Sequence, residues 1–499
     1  MPSSYSSLIE AARQSVREGE IMAAETYCRQ ALRMSPQDPE ARLLLGNLYL
    51  RQQRLVEATA ELVDLLRIDP SHWVARNNLG VVLAQRKQLD QALTQFDEAL
   101  RLSPGYVDPA INRGKVLSEL GRYTEAILQL RAVLSIRPDI GTAHLELAEA
   151  YCGVGRLENA IYHYERAVAV NPQHAEAHWN LAMARLALGD YMAGWREYEW
   201  RWKCEAFAPF APSFSQPVWD GSPLDGRTIL LTAEQGLGDT LQFVRYAKLV
   251  KQTGAEVLLR CPRALEKILR SYGPIDGLFA EGCALPEFHC HLSLLSLPRV
   301  LGTTLATIPA EVPYLYADSS LVARWREELH NDRLRIGFAW QGSTRNRLDG
   351  HRSIPATQFL RLTEVAGVRL YSLQKGTGRE QLAAIPSVAD IIDLGGQIDE
   401  STGAFMDTAA VMQHLHLVVT CDTAIAHLAG ALAIPVWLAL STRPDWRWML
   451  RRDESPWYPT MRIFRQTEHG NWDEVFLRMR SELEILSRQR TALHGNGRG

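Results

Sequence analysis

Residues 73–104 read WVARNNLGVVLAQRKQLDQALTQFDEALRLSP, and their pattern of small residues and proline returns along the N-terminal part of the chain every 34 residues. The prolines in this register are Pro36, Pro70, Pro104, Pro138 and Pro172. The alanines at the same step are Ala24, Ala58, Ala92, Ala126 and Ala160. A second small residue recurs at Gly46, Gly80, Gly114, Ala148 and Ala182. Because small residues allow close helix packing and proline lacks the N–H that continues a helix, each unit predicts two closely packed helices.

This period is similar to that of the tetratricopeptide repeat, whose helical pairs stack into a solenoid. Ala12 and Ala24 mark a degenerate first repeat, and residues 182–198 belong to the last, so we expect about six repeats. Contacts between neighbouring repeats would bury a shared core. An aromatic-rich stretch from Trp195 to Phe210 predicts a cap over the last repeat. Solenoids of this kind usually hold other proteins, so a protein partner is expected.

Composition narrows the class of protein. The chain has 499 residues and a formal net charge of −3, which makes it too long for one core and too neutral for a dedicated nucleic-acid or membrane-surface binder. No apolar run reaches the roughly 20 residues that span a bilayer. Residues 1–20 lack the basic start and apolar stretch of a secretory signal. We therefore expect a cytoplasmic protein without a membrane span or a nucleic-acid partner.

The seven cysteines are scattered without a CxxC pair, which favours reduced thiols over disulfides or structural zinc. One local cluster contains Cys283, His289, Cys290 and His291. Its spacing matches no usual zinc pattern, and the following residues 292–297 are typical of a core segment. The sequence therefore predicts no metal site.

Beyond the solenoid and its cap, predicted over 1–205, four prolines and two Asp-Gly pairs indicate a linker over 206–226. Strand and helix patterns then alternate in two blocks, at 227–330 and 331–490, before a tail at 491–499 that we expect to be disordered. Predicted strands lie at 228–232, 256–260, 335–340, 368–373, 415–420 and 435–440, and predicted helices at 241–252, 424–432 and 472–488. This alternation predicts two Rossmann-like halves of parallel sheet, with a ligand site at the strand ends in the cleft between them.

Three loops that follow predicted strands carry the candidate chemistry. The first contains Gly236, Gly238 and Asp239, and its glycines would let backbone amides approach an anion or polar ligand. A dinucleotide fingerprint would need a third glycine where Leu241 stands, which makes NAD binding a weak interpretation. The alternative is that Asp239 merely favours the start of the next helix.

The second loop, residues 342–355, gathers two hydroxyls, three arginines and a histidine that suit a diphosphate: Ser343, Thr344, Arg345, Arg347, His351 and Arg352. An ordinary solvated basic loop is the alternative. The third loop, residues 420–427, contains Asp422, Thr423 and His427. Here Asp422 or Thr423 could simply cap the helix, and His427 could be a buried core histidine. We expect all three loops to converge on one cleft.

With these loops, the part of the chain that follows the predicted linker resembles glycosyltransferase family 9, the heptosyltransferase-like family. The resemblance covers roughly residues 227–486 and is carried by residues 232–246 with their GLGD at 236–239, and by DTAIAHLAGAL at 422–432 followed by Ile434, Pro435 and Val436. It implies a GT-B fold that transfers a sugar from a nucleotide-sugar donor, usually without a metal ion. Segments 340–355, 372–376, 444–448 and 457–459 further resemble the bacterial branch that fuses tetratricopeptide repeats to this domain.

By position, the resemblance implies roles for individual residues. Asp239 matches the loop aspartate proposed as general base for the acceptor hydroxyl. Arg352 falls where the family often has a phosphate-binding lysine, and Asp422 with Thr423 matches the donor-binding pair, although Ala424 replaces the glycine that commonly follows. On a looser alignment, Gln374 and Lys375 fall near the nucleoside. Trp446, Arg447 and Trp448 could stack on a base or sugar, or simply pack their loop.

The repeats place Asn78, Asn112 and Asn180 in one register, two residues before the small helix-packing residue, with Leu44 and Glu146 in the other places. An amide both donates and accepts, so such a ladder could pair with the backbone of an extended peptide. It resembles the asparagine ladder of the O-linked N-acetylglucosamine transferases, whose catalytic motifs are not matched here. The alternative is that each asparagine only bonds to its neighbour.

The leading hypothesis is a cytoplasmic bacterial glycosyltransferase, an α solenoid followed by an α/β GT-B fold, with a nucleotide sugar as co-substrate and no further cofactor. The solenoid would present a protein acceptor or recruit a partner. The rival hypothesis is a non-enzymatic scaffold with a degenerate nucleotide-binding module, and a dehydrogenase is a distant third. The donor base, the sugar and the acceptor depend on loop shapes that spacing does not reveal.

Overall fold

The computed structural model of the chain describes residues 4–344, 349–385 and 390–495. Its internal contacts divide the chain into two compact units, Met1–Ala177 and His178–Gly499. The dividing point lies inside a helix, Ala175–Leu188, that belongs to the last predicted repeat. It therefore comes before the predicted end of the solenoid at residue 205.

The first unit is built of helices that pair in chain order. They are α1 Tyr5–Glu18, α2 Ile21–Met34, α3 Pro39–Arg51, α4 Leu55–Ile68, α5 Trp73–Gln85, α6 Leu89–Leu102, α7 Val107–Glu119, α8 Tyr123–Ile136, α9 Gly141–Gly153 and α10 Leu157–Val170. Each register proline follows the second helix of a pair, as predicted. The register alanines of the second helices are all fully buried, which places them at the contact within each pair.

The small residues of the first helices are required by this close packing. A Cβ atom added to Gly80 would lie 2.5 Å from the ring of Phe96, and one added to Gly114 would lie 2.7 Å from Leu130. Both partners are buried side chains of the following helix. The sequence prediction of a paired-helix solenoid is confirmed by this packing.

The second unit begins with the rest of the last predicted repeat. It contains most of α11 Ala175–Leu188, followed by α12 Tyr191–Tyr198 and two 3-10 helices, Glu199–Lys203 and Glu205–Phe210. Trp200 stacks on His178 with ring centroids 3.7 Å apart, so the aromatic cap does cover this repeat. Trp195 also packs against Trp446 at 5.0 Å, which makes the cap part of the core of the second unit.

Two parallel sheets follow. The first has β1 Thr228–Thr232, β2 Glu256–Cys261, β3 Gly277–Ala280 and β4 Cys290–Ser293, in the order β3-β2-β1-β4. The α-helices of the chain between β1 and the second sheet are α13 Leu237–Phe243, α14 Ala247–Lys251, α15 Glu266–Leu269, α16 Leu297–Val300 and α17 Ser319–Glu328. The helix predicted over 241–252 was therefore wrong in its start: it begins at Leu237 and is interrupted by a 3-10 turn, Val244–Tyr246.

The second sheet has β5 Leu334–Ala339, β6 Val368–Ser372, β7 Ile391–Asp393, β8 Leu417–Thr420, β9 Val436–Leu440 and β10 Met461–Arg465. Its helices are α18 Asp349–Arg352, α19 Leu360–Thr363, α20 Met406–Met412, α21 Ala424–Ala431 and α22 Trp472–Gly495. Helix α22 was predicted over 472–488. The backbone of residues 491–495 is helical, contrary to the expected disordered tail, and residues 496–499 lie outside the described residues.

The order of the second sheet, β10-β9-β8-β5-β6-β7, is doubly wound. The chain adds β6 and β7 on one side of β5 and then returns to add β8, β9 and β10 on the other, so the strand order reverses between β5 and β8. Successive residues such as Trp437 and Leu438 are buried in separate apolar clusters, because both faces of the sheet are covered. The predicted α/β alternation is thus confirmed, while β3, β4, β7 and β10 were not predicted.

Two features are absent from the described part of the chain: a helix that could span a membrane and a group of side chains that could hold a metal ion. No helix there is both long enough and apolar enough to cross a bilayer. Neither does that part hold a group of three or more His, Cys, Asp or Glu side chains with the geometry of a metal site. Cys290 and His291, which belong to the cysteine and histidine cluster considered above as a zinc site, are buried in β4.

Candidate functional site

The loops after β1, β5 and β8 line one cavity of about 1130 Å³ within the second unit. These loops leave the carboxyl ends of parallel strands, and two of them flank the point where the order of the second sheet reverses. The sequence-predicted residues that line the cavity are Gly236, Gly238, Asp239, Ser343, Arg352, Gln374, Lys375, Asp422, Thr423 and His427. Thr344 is exposed and is not among the described residues that line it.

Asp239 lies in the first turn of α13, and both of its carboxylate oxygens have partners. Oδ2 accepts a hydrogen bond of 2.8 Å from the backbone N–H of Gly236, which is the helix-start role that the sequence offered as an alternative. Oδ1 accepts a hydrogen bond from Nη2 of Arg447. Burial raises the pKa of Asp239, and the positive charge of Arg447 opposes this rise. The carboxylate faces the cavity but is held on two sides.

Gly238 serves helix packing, which the sequence did not predict. A Cβ atom at this position would lie 2.8 Å from Cδ2 of His427 and 3.5 Å from the backbone Cα of Ala424. The glycine therefore lets α13 approach α21 closely. Gly236 is exposed, and a Cβ there would lie 3.0 Å from Oδ2 of Asp239.

Arg352 lies at the end of α18, with its guanidinium at the cavity. It donates to the backbone carbonyl of Asp422 at 3.1 Å and to that of Ser343 at 3.3 Å, so it ties the loop after β5 to the loop after β8. Asp349 also accepts from Nε at 3.2 Å. Arg345 and Arg347 lie outside the described residues, as does the side chain of His351.

Gln374 and Lys375 have structural partners. The buried amide of Gln374 accepts from the backbone N–H groups of Trp340 and Gln341, both at 3.1 Å, and donates to the carbonyls of Gln341 at 3.0 Å and Thr377 at 2.9 Å. Lys375 pairs with Glu400 at 2.7 Å. Gln374 thus joins two loops of the cavity wall, and the lysine charge is paired within the protein.

Thr423 occupies the residue before α21, where its backbone is extended, with φ −140° and ψ 172°. Within the described residues no side chain caps this helix, although Ala424 and Ile425 of its first turn line the cavity. Burial raises the pKa of Asp422 to about 6, with the neighbouring charge of Asp445 adding to the rise. The helix start therefore presents backbone donors to the cavity beside a carboxyl that titrates in the mildly acidic range.

His427 is buried on α21, as the alternative interpretation of the sequence had it. Its Nδ1 lies 3.0 Å from the hydroxyl of Tyr458, and its ring stacks on that of Trp448 at 5.4 Å. Burial and the nearby positive charge of Arg447 hold the pKa of His427 well below its usual range. The neutral ring is suited to packing and to a hydrogen bond, and not to proton donation at neutral pH.

Sequence reasoning missed the role of Arg447. Its side chain is only 7% exposed. Besides Asp239, it binds Asp445 through Nη1 at 2.9 Å and Gln242 through Nε at 2.7 Å. Trp446 and Trp448 are buried and pack the loop rather than stack on an open site. The sequence alone did not indicate this role, because it is the burial of the arginine between the two tryptophans that requires a carboxylate partner.

The repeat asparagines bond to one another. Nδ2 of Asn78 donates to Asn47 at 2.6 Å, Nδ2 of Asn77 donates to Asn78 at 3.1 Å, and Nδ2 of Asn112 donates to Asn77 at 3.0 Å. This chain of amides links α3, α5 and α7, as the alternative interpretation expects. Asn180 is half-buried on α11 of the second unit.

Family models agree with the helical part. Models described as tetratricopeptide repeat match residues 15–79, 58–107 and 111–169, and one described as TPR repeat matches residues 150–189. The N-terminal part is a tetratricopeptide-repeat solenoid. Protein FlbA of Caulobacter vibrioides is 26% identical over 339 residues, which cover 60% of this chain and 53% of FlbA. The chain therefore spans about half the length of this curated relative.

Two solved structures are each similar to a part of the chain. TTC0263 of Thermus thermophilus, a thermophilic TPR protein, is 27% identical, with 37% of this chain and 100% of that chain covered and a TM-score of 0.33. PilW, a type IV pilus biogenesis factor, is 22% identical. The match covers 42% of this chain and 96% of PilW, with a TM-score of 0.38.

Proposed function

We propose that the second unit is a glycosyltransferase of GT-B architecture that uses a nucleotide-sugar donor. The observation that carries the proposal is the meeting of the loops after β1, β5 and β8 around one cavity of about 1130 Å³. Doubly wound sheets bind ligands at the carboxyl ends of their strands, where the strand order reverses. A cavity of this size is large enough for a nucleotide sugar.

The donor diphosphate binds between Arg352 and the start of α21. Backbone N–H groups of the first turn and the positive end of the helix favour an anion there, and Thr423 can add its hydroxyl. Arg352 brings a positive charge to the same wall while holding the carbonyl of Asp422. These groups stabilise the negative charge that builds on the departing nucleoside diphosphate. The methyl group of Ala424, in place of a glycine, narrows the approach to the phosphates.

Asp239 is the general base, and it lies beside the start of α21, since the preceding Gly238 packs against Ala424 and His427. Its carboxylate accepts the proton of the acceptor hydroxyl as that oxygen forms a bond to the anomeric carbon and the bond to the diphosphate breaks. Burial raises the pKa of Asp239, which makes it a stronger base than a solvated aspartate. Arg447 holds the carboxylate in place.

The solenoid binds a protein, either the acceptor itself or a partner that localises the enzyme. Tetratricopeptide repeats are typical of protein–protein interaction, and the amide chain of Asn78 and Asn112 lies half-buried on the first helices of successive repeats. This proposal places the enzyme in the bacterial cytoplasm. No metal ion or further cofactor takes part in it.

A non-enzymatic scaffold is the second candidate. It is favoured by one observation: Asp239 is engaged by both Gly236 and Arg447, and Lys375 by Glu400, so these two side chains already have protein partners. In that case the second unit would be a degenerate module that binds a nucleotide without turnover.

Release of nucleoside diphosphate from UDP-, ADP- and GDP-linked hexoses separates the two candidates. The glycosyltransferase proposal expects slow release from one of them by the purified protein, through water acting as acceptor, and loss of that release in Asp239→Asn. Binding without release in the wild type would favour the degenerate module. Release that persists in Asp239→Asn would contradict the assigned base.

A further inference from the structure

The cap of the last repeat contains a fully buried arginine. Arg201 lies in the 3-10 helix Glu199–Lys203 and binds Glu234 through two hydrogen bonds, Nε to Oε2 at 3.0 Å and Nη2 to Oε1 at 2.8 Å. Both side chains are 0% exposed. Nη2 also donates to the hydroxyl of Ser296 at 2.7 Å. A buried pair of this kind holds its two segments firmly, because removing one partner leaves an uncompensated charge.

The partner of this arginine opens the loop after β1. Glu234 is followed directly by Gln235, which has a positive φ of 63°. A residue other than glycine occupies this left-handed conformation at a cost, and it does so only where its surroundings hold it. Nε2 of Gln235 donates to the hydroxyl of Tyr198 at 3.1 Å, and Tyr198 is the last residue of α12. Two adjacent residues of the loop are therefore fastened to the cap.

The cap also reaches the cavity itself. Phe207 and Phe210, from the 3-10 helix Glu205–Phe210, line the cavity together with Asp239. Phe207 packs against Trp179 of α11 with ring centroids 4.6 Å apart. The last repeat, its cap and the loop that carries Asp239 are thus packed as one block within the second unit.

We infer that Arg201 and Tyr198 are positioning residues that fix the 234–239 loop, so that the last repeat and its cap are a structural part of the candidate site. Neither residue is among those that line the cavity in the described part of the chain, and both act through Glu234 and Gln235. The chemical consequence, placement of the base Asp239, rests on the proposed function. The positioning itself does not.

Hydrogen–deuterium exchange of the full chain tests the positioning. Tyr198→Phe removes the hydroxyl that accepts from Gln235 and leaves the ring in place. We expect amides of residues 233–240 to exchange about fivefold faster, the effect of one lost hydrogen bond, with no change in β2 or α21. Tyr272→Phe is the matched control, because it also removes one buried hydroxyl bond, of 2.9 Å to the carbonyl of Arg245. Unchanged exchange over 233–240 in Tyr198→Phe, or an equal increase in the control, would overturn the inference.

A double-mutant comparison tests whether Tyr198 acts on the loop through Gln235 and not through a general loss of structure. Gln235→Gly removes both the amide donor and the conformational strain, so Tyr198→Phe should change loop exchange no further in that background. An additive effect would contradict the link between the two residues. Arg201→Lys, which loses the two-bond geometry, should also raise exchange in the same segment if it folds.

Turnover adds a second readout. For a nucleotide sugar that the wild type hydrolyses, Tyr198→Phe should lower kcat about tenfold, because misplacement of a catalytic group affects the chemical step. KM for the donor should stay unchanged, since Arg352 and α21 are untouched. A rise in KM at constant kcat would contradict the expectation that Tyr198 positions the catalytic group. Failure of any nucleotide sugar to react would refute the proposed function, while the exchange result would still decide the positioning.

Discussion

Arg447 and Asp239 form an ion pair in the wall of the cavity, Nη2 of the arginine donating to Oδ1 of the carboxylate. Asp239 belongs to α13 beside the first sheet, whereas Arg447 belongs to the segment after β9 of the second. The same guanidinium holds Asp445 and Gln242. The pair therefore joins the two halves of the second unit at the place where we locate the reaction, and the positive charge of Arg447 opposes the rise in the pKa of Asp239 that burial causes.

Asp239→Asn should lower turnover by about 10²-fold or more, because general-base contributions are of this size. Binding of the nucleoside diphosphate should be preserved, since its phosphates contact Arg352 and α21. Steady-state kinetics measures the turnover rate, and isothermal titration calorimetry measures the affinity for the nucleoside diphosphate. Asp445→Asn removes the other carboxylate of Arg447 and serves as the charge-matched comparison, with an expected loss of less than about tenfold. Equal losses in the two variants would argue against a special role for Asp239.

Gly238→Ala should destabilise the protein by about 1–3 kcal/mol, the usual effect of overpacking a tight contact. The added methyl group would lie 2.8 Å from the buried ring of His427, which cannot move away because it stacks on Trp448. Gly273→Ala is the control, since a Cβ there meets nothing within 4 Å. Urea unfolding measures both. Equal stability of the two variants would show that α13 and α21 are not in close contact.

Gln374→Met should lower the free energy of unfolding by about 2–4 kcal/mol. It leaves two buried backbone N–H groups and two carbonyls without their partner. Lys375→Met should change stability by less than about 1 kcal/mol, because its pair with Glu400 is partly exposed to solvent. Thermal or urea unfolding checks both. If nucleotide affinity fell in Lys375→Met, the nucleoside role inferred from the sequence would be restored.

The stability of the wild type should contain a contribution from Asp422 that falls as pH rises from about 4 to about 6. Burial raises the pKa of this carboxyl to about 6, so in this window the folded protein binds a proton that the unfolded chain does not. Asp422→Asn removes this contribution, so its free energy of unfolding relative to the wild type should rise by about 2–3 kcal/mol on going from pH 4 to pH 7. Urea unfolding of both proteins across this range measures it. Parallel profiles would show that the pKa is not raised.

The solenoid could be predicted from the sequence because its signals are local and repeated. Ala58 and Gly80 carry their packing role in one fixed register, which their burial in the structure matches. The central strands were predicted because buried parallel strands form continuous apolar runs. Edge strands such as β3 and β7 are short and half-exposed, and their patterns are not distinctive.

The site was harder to predict, because its contacts join residues far apart in sequence. Arg447 meets Asp239 over 208 positions, and Arg201 meets Glu234 over 33. Spacing identified the three loops but could not distinguish a ligand-binding residue from one that supports a loop. Gly238 and Gln374 show this: both line the cavity, and both also support the fold, Gly238 by packing closely against His427 and Gln374 by bonding to the backbone of Trp340.

Thermal stabilisation of the purified protein by UDP, ADP, GDP, CMP and NAD tests the central claim most directly, that the cavity of the second unit binds a nucleotide. A ligand at 100 times its dissociation constant adds about 2.7 kcal/mol of stability. The account predicts a clear response to one of the nucleoside diphosphates, no response to NAD, and a much weaker response in Arg352→Met. No response to any of the five by the folded wild-type protein would contradict it.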